Sequence, residues 1–136
     1  MKIVVIDGQG GKIGQTLVEQ LKQELPNCKL IAIGTNSIAT SAMLRAGADF
    51  GATGENPVIV NCADADIIVG SLGIVVANSF HGEITPSMAL AIGQSRAQKI
   101  LIPINKCNNT VVGIQKLSLS EYVKLSVEYI KEIVEH

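Results

Sequence analysis

Apolar residues along the chain fall into short compact runs separated by amphipathic stretches. Lys2-Ile-Val-Val-Ile6 is a strand pattern that ends in Asp7 and a set of glycines. Ile13, Leu17 and Leu21 then recur four apart, with Val18 beside them, which predicts a helix closed by Pro26 and Asn27. Lys29-Leu-Ile-Ala-Ile33 reads as a second strand. Strand, glycine loop, helix and strand thus fit into about thirty residues, the span of a βαβ unit.

Ser37 to Ala46 predicts a second helix, capped by Asn36 or Ser37 and ended by Gly47, with a short third strand near Ala48 to Phe50. Val58-Ile-Val60 and Asp66-Ile-Ile-Val69 both look like strands. Only the five residues 61–65 separate them, and a parallel crossover needs about a dozen or more, so one of them gives way or the pair forms an antiparallel hairpin. Pro57 suits the first turn of a helix. Residues 56–63 are therefore read as a short helix capped by Asn56 or Thr53, and Ile67 to Val69 as strand four.

After Gly70 the sequence is polar and punctuated by glycine through Ser71, Gly73, Asn78, His81, Gly82 and Glu83. Thr85-Pro86 supplies a cap and a first helical residue for a helix to about Arg96. Lys99 to Ile104 is strand five, with Pro103 at an edge or leaving the ladder. Thr110 to Ile114 is expected to add a strand. In the last helix, Ser118 and Glu121 form a capping box, and Leu117 and Tyr122 a hydrophobic staple. Leu119, Tyr122, Val123, Ile130, Ile133 and Val134 make one apolar stripe. Leu125, Val127 and Tyr129 lie off it and offer a contact to a second copy in a homodimer, although scattered surface apolar residues are also normal. The expected fold is one three-layer α/β/α Rossmann-like domain over residues 1–136, with a mostly parallel sheet of about five strands.

Composition narrows the function. Of 136 residues, 47% are apolar and 17% charged, so the chain folds rather than staying disordered. Aromatics are 3%, leaving a core of Ile, Val, Leu and Ala that suits parallel strands buried on both faces. The net charge is −1 with no basic run, which argues against nucleic acid as a partner. No apolar run is long enough to span a bilayer, and the N-terminus enters a strand without a signal-peptide order, so the cytoplasm is the expected compartment. Cys28, Cys62 and Cys107 lack zinc spacing and read as buried structural thiols; no metal site is expected.

The chemistry centres on Asp7-Gly-Gln-Gly-Gly-Lys-Ile-Gly14. GxGxxG fails because Ile13 stands where the third glycine belongs, but Gly8, Gly11 and Gly14 fit GxxGxxG, with Gly10 as an extra. That spacing resembles the glycine loop of extended and atypical short-chain dehydrogenases. Small residues let the backbone turn and approach a phosphate, whose charge a helix N-terminus stabilises. Asp7 departs from the pattern, since a carboxylate beside a phosphate repels it. Lys12 or a metal ion would compensate, or Asp7 accepts from backbone amides. A second departure follows strand two, where NAD binders carry an acid and NADP binders often Arg. Here stand Gly34, Thr35 and Asn36, which favour neither. NAD, NADP and other nucleotides all remain open.

In the expected topology Asp7, Asn36, Ser71 and Asn105 lie beyond the carboxyl ends of strands, the rim where open α/β sheets bind ligands, although turn chemistry alone also selects Asn and Ser. Glu55 or Asn56 would join that rim. In the 71–85 loop, His81 and Glu83 are near enough to act as base and orienting acid; a surface histidine beside a solvated glutamate is the alternative. The dehydrogenase pair of Tyr with Lys four residues on is missing: Ser126 follows Tyr122 and Ile133 follows Tyr129 at that spacing. The resemblance to short-chain dehydrogenases therefore covers the loop and not the catalytic machinery.

IDGQGGKIG, IGTNSIATSAMLRAGADFGATGEN, ADIIVG, NSFHGEITPSMA and KILIPINKCN together resemble a bacterial family of short Rossmann-like proteins known only as a domain of unknown function. The resemblance implies a one-domain cytosolic protein and supplies no activity. The leading expectation is binding of a small-molecule nucleotide or dinucleotide through the 8–14 loop, by a small enzyme or a non-catalytic sensor. The alternative is an interaction module or homo-oligomer whose glycine loop is a structural turn only.

Overall fold

The chain alternates strand and helix along its length, as seen in a computed structural model that describes residues 1–104 and 107–136. In order these are β1 (Lys2–Asp7), α1 (Lys12–Glu24), β2 (Lys29–Gly34), α2 (Ser37–Arg45), β3 (Phe50–Thr53), α3 (Glu55–Cys62), β4 (Ile67–Ser71), α4 (Pro86–Gln94), β5 (Gln98–Ile102) and α5 (Leu119–Glu135). A single 3-10 turn, Leu72–Val75, follows β4. The strands form one five-stranded sheet in the order β3-β2-β1-β4-β5, and every pairing is parallel.

Helices cover both faces of this sheet, giving three layers. Ile3 and Val5 of β1 pack with Leu17, Val18 and Leu21 of α1 and with Val123, Val127 and Ile130 of α5. Val4 and Ile6, alternating with them, pack with Val58 and Cys62 of α3 and Met88 and Ile92 of α4. β1 is buried on both faces because the strand period of two sends successive residues into different helical layers. Among the described residues, no helix is long and apolar enough to cross a membrane.

Several local expectations need correction. The third strand starts at Phe50, because Asp49 turns its carboxylate to the Leu30 N–H at 2.8 Å and pairs with Lys22 at 2.7 Å. Residues 110–114 form no strand. The α3 helix lies where Pro57 suggested, but Gly54 occupies its N-cap without a side-chain cap bond. Thr53 is instead bonded to the Thr40 hydroxyl at 2.7 Å. Val127 is buried, since it stands four residues after Val123 on the same face of α5. Leu125 and Tyr129 are exposed. Of the thiols, Cys62 is buried and burial pushes it up to about 11, whereas Cys107 is exposed.

Candidate functional site

β1 and β4 are neighbours, yet the chain leaves them in opposite directions. From β1 it crosses through α1 to β2; from β4 it crosses through α4 to β5 on the other face. Such a switch of direction opens a crevice beyond the carboxyl ends of the two strands, where ligands of open α/β sheets bind. The 8–14 loop and the segment after Ser71 flank it.

The glycines of that loop serve different ends. Gly11 has φ +76°, and a Cβ there would stand 2.7 Å from Ala39 Cα of α2. At Gly14 a Cβ would meet Met43 Sδ at 2.4 Å and Asp7 Cβ at 2.9 Å. At Gly8 it would meet Thr35, Phe80 and Glu83 side chains. These three positions are small because protein packs on them. Gly10 has nothing within 4 Å and is exposed, as is Lys12.

Asp7 is buried, at 4% exposure, and its carboxylate lies at the N-terminus of α1. Oδ1 accepts from the Gly8 N–H at 2.8 Å and Oδ2 from the Gly14 N–H at 2.7 Å. Burial pushes its pKa above the ordinary value; the amides of Gly14, Gly8 and Ile13 pull it back only in part, and Glu83 adds to the rise. Helix-terminal amides that would meet a phosphate in the usual dinucleotide site are thus already bonded to a side chain. The N–H groups of Gly10 and Lys12 have no protein acceptor among the described residues.

Glu83 reaches the loop from the far segment. Its Oε1 accepts from the Gln9 N–H at 2.9 Å, the Thr35 hydroxyl at 2.5 Å and the Asn36 amide at 3.0 Å. The Asn36 amide also donates to the Gln9 carbonyl at 2.9 Å, while its Oδ1 caps α2 through the Ala39 N–H. Burial raises the Glu83 pKa, but these donors, with His81 nearby, outweigh it and hold the carboxyl below its ordinary value. Sequence reasoning missed this clamp, because nothing local to Glu83 pointed to Gln9, 74 positions away.

The segment carrying Glu83 is a tight knot. Asn78, Phe80 and His81 take φ of 67°, 57° and 55°, a left-handed conformation that ordinary residues adopt at a cost. It is held by Asn78 N–H to the Ile84 carbonyl at 2.7 Å, by the Ile84 N–H to the Ser79 carbonyl at 3.1 Å, and by the buried Ser79 hydroxyl on the Gly73 carbonyl. His81 is exposed and shows no hydrogen bond to Glu83 among the described residues. It lines a cavity of about 460 Å³ with Gln9, Asn78, Ser79, Phe80 and Cys107. A second cavity of about 210 Å³ is lined by residues 7–13 and Ile104. Gln9 lines both.

Continuing the β1–β4 register from Val5 and Val69 sets Asp7 opposite Ser71, with both side chains on the α1–α5 face. Ser71 Oγ is buried and has no hydrogen-bond partner among the described residues. Buried hydroxyls without partners are few in native proteins and call for an explanation. Asp7, Ser71 and the loop therefore share one corner, while Thr35 and Asn36 are engaged by Glu83 on the opposite flank. Glu55 accepts from the Thr85 hydroxyl at 2.5 Å. Asn105 lies outside the described residues. Among those described, no three His, Cys, Asp or Glu side chains gather to hold a metal ion.

Two solved structures resemble this fold at a distance. A dodecameric FMN-dependent UbiX-like decarboxylase from Escherichia coli O157:H7 is 13% identical, with a TM-score of 0.48, over 100% of this chain and 96% of that one. A Bacillus thuringiensis protein described as an NADPH:quinone reductase is 17% identical, with a TM-score of 0.43; the match covers 97% of this chain and 45% of that one. No curated protein matches the sequence. Residues 2–135, nearly the whole chain, match one family of Rossmann-like α/β/α proteins, and the protein belongs to it: the domain of unknown function DUF3842.

Proposed function

We propose that this protein binds a phosphorylated small molecule of the nucleotide class in the crevice beyond β1 and β4. The phosphate rests on the N–H groups of Gly10 and Lys12 and on the Lys12 ammonium. The observation that carries the reading is the pair of unpartnered amides at an exposed, Cβ-free loop tip beside a cavity at the switch point. Asp7 sits behind the loop with its oxygens bonded to Gly8 and Gly14, which turns it away from the role of a competing anion at the tip. His81 borders the adjoining cavity and is the acid–base group if the bound molecule is transformed.

The opposing reading, a loop that is only a turn, draws on the protein contacts that account for Gly8, Gly11 and Gly14. An NMR titration with inorganic phosphate and AMP separates the two. The expected result is a saturable shift of the Gly10 and Lys12 amides, with affinity about tenfold weaker in Lys12→Glu. Lys12 is exposed, so that variant keeps its stability within about 0.5 kcal/mol. Amides that stay unmoved at millimolar phosphate establish the turn reading instead.

A further inference from the structure

A dinucleotide on a Rossmann sheet lays its adenosine half from the glycine loop to the end of the second strand, where an acid holds the ribose. That flank is closed in this protein. Gly8 is buried, and a Cβ on it would stand 2.5 Å from Thr35 Oγ1, 2.7 Å from Phe80 Cδ2 and 2.8 Å from Glu83 Oε1. Gly11 is buried against Ala39, so its backbone faces α2 rather than a pyrophosphate. The polar side chains at the end of β2 are engaged: Thr35 and Asn36 both donate to Glu83, and Asn36 Oδ1 caps α2 by accepting from the Ala39 N–H. Neither of the two cavities described at the loop is lined by Thr35, Asn36 or Glu83.

The loop tip itself borders space. Cavities of about 210 and 460 Å³ are both lined by Gln9, and Asp7 at the end of β1 and Ile104 just past β5 line the smaller one. The Ser71 hydroxyl, without a partner among the described residues, lies in the same corner as Asp7. The larger cavity alone falls in the range that takes one small ligand. Gln9, Asn78 and His81 line the larger one with side-chain donors and acceptors suited to sugar hydroxyls or a base edge.

We infer that the ligand is a compact phosphomonoester of mononucleotide size, extending from Gly10 and Lys12 past Gln9 toward Asn78 and His81, and not a dinucleotide. The inference rests on the phosphate reading of the loop. Its test is calorimetric titration of the full chain with AMP, ribose 5-phosphate and NAD, with NMR shifts read at assigned amides.

AMP is expected to bind at least about tenfold more tightly than NAD. Thr35→Val, which removes only a hydroxyl bonded to Glu83, is expected to leave AMP affinity within about twofold. Ribose 5-phosphate matching AMP identifies a sugar phosphate as the ligand type, and tighter AMP binding identifies a nucleotide; both support the inference. A smaller preference for AMP, or tighter NAD binding with shifts at Thr35 and Asn36, overturns it and leaves the phosphate site standing. Gly10 and Lys12 amides unmoved by every probe remove the phosphate site and this inference with it.

Discussion

On its β2 flank the glycine loop is tied to the rest of the fold by one carboxylate oxygen that gathers three donors from Gln9, Thr35 and Asn36. At its tip it borders two cavities, and the buried Ser71 hydroxyl at the end of β4 has no partner among the described residues. Folding alone accounts for the first flank, since Gln9, Thr35 and Asn36 all meet Glu83 Oε1 there. It leaves the second with open space and, among the described residues, a hydroxyl without a partner. The contrast locates the site more sharply than the glycine pattern does, because that pattern spans both flanks.

Breaking the packed side has the largest expected effect. Gly11→Ala forces a Cβ to 2.7 Å from Ala39 Cα at a φ of +76°. The strain and overpacking together should cost about 3 kcal/mol in urea denaturation. Gly10→Ala meets nothing within 4 Å and should change stability by less than about 1 kcal/mol, in the stabilising direction. Equal losses in the two variants would mean that α2 does not hold the loop as described.

The two carboxylates beside the loop sharpen the comparison with opposite signs. Asp7 has a raised folded-state pKa, chiefly from burial, so the native state takes up protons more readily than the unfolded chain. Its contribution is full below the ordinary value of 3.8 and is lost as pH rises through the raised value. Glu83 has a lowered value, because its donors outweigh burial. It contributes stability above its ordinary 4.5 that is lost as pH falls through the lowered value. Glu83→Gln should cost about 2 kcal/mol at neutral pH, since an amide leaves part of the three-donor cluster unmatched. Asp7→Asn should flatten the loss of stability with rising pH above 3.8. Denaturation midpoints across the acid range read both effects, and parallel curves for the two variants would refute the assignment of signs.

Much of this fold is written in hydrophobic periodicity. The Lys2–Ile6 and Lys29–Ile33 runs and the amphipathic pattern at 13–21 fall on β1, β2 and α1, each strand running one residue further. The α3 helix was legible against the β-branched run Val58-Ile-Val60, because chain length forbade a crossover between two strands so close together. Residues 110–114 show the limit of local pattern. Val111 and Val112 are apolar and β-branched but exposed, and a strand also needs a neighbour to pair with. The site divides the same way. The rim positions Asp7 and Ser71 follow from strand order. Glu83 as a clamp does not, since His81 is its neighbour in sequence and Gln9 only in space.

The finest test of the comparison is Ser71→Ala. Removing a buried hydroxyl that has no partner among the described residues relieves an uncompensated desolvation, so the variant should be as stable as the parent or firmer by up to about 1 kcal/mol. A serine kept only for packing would show that gain and nothing else. A serine that meets a ligand should also lose phosphomonoester affinity, by about three- to tenfold for one hydrogen bond. The combination of stability held or gained with binding lost separates a site residue from a structural one. A loss of stability would instead mean that the hydroxyl is satisfied within the fold, and the β4 flank would then differ from the β2 flank only in its open space.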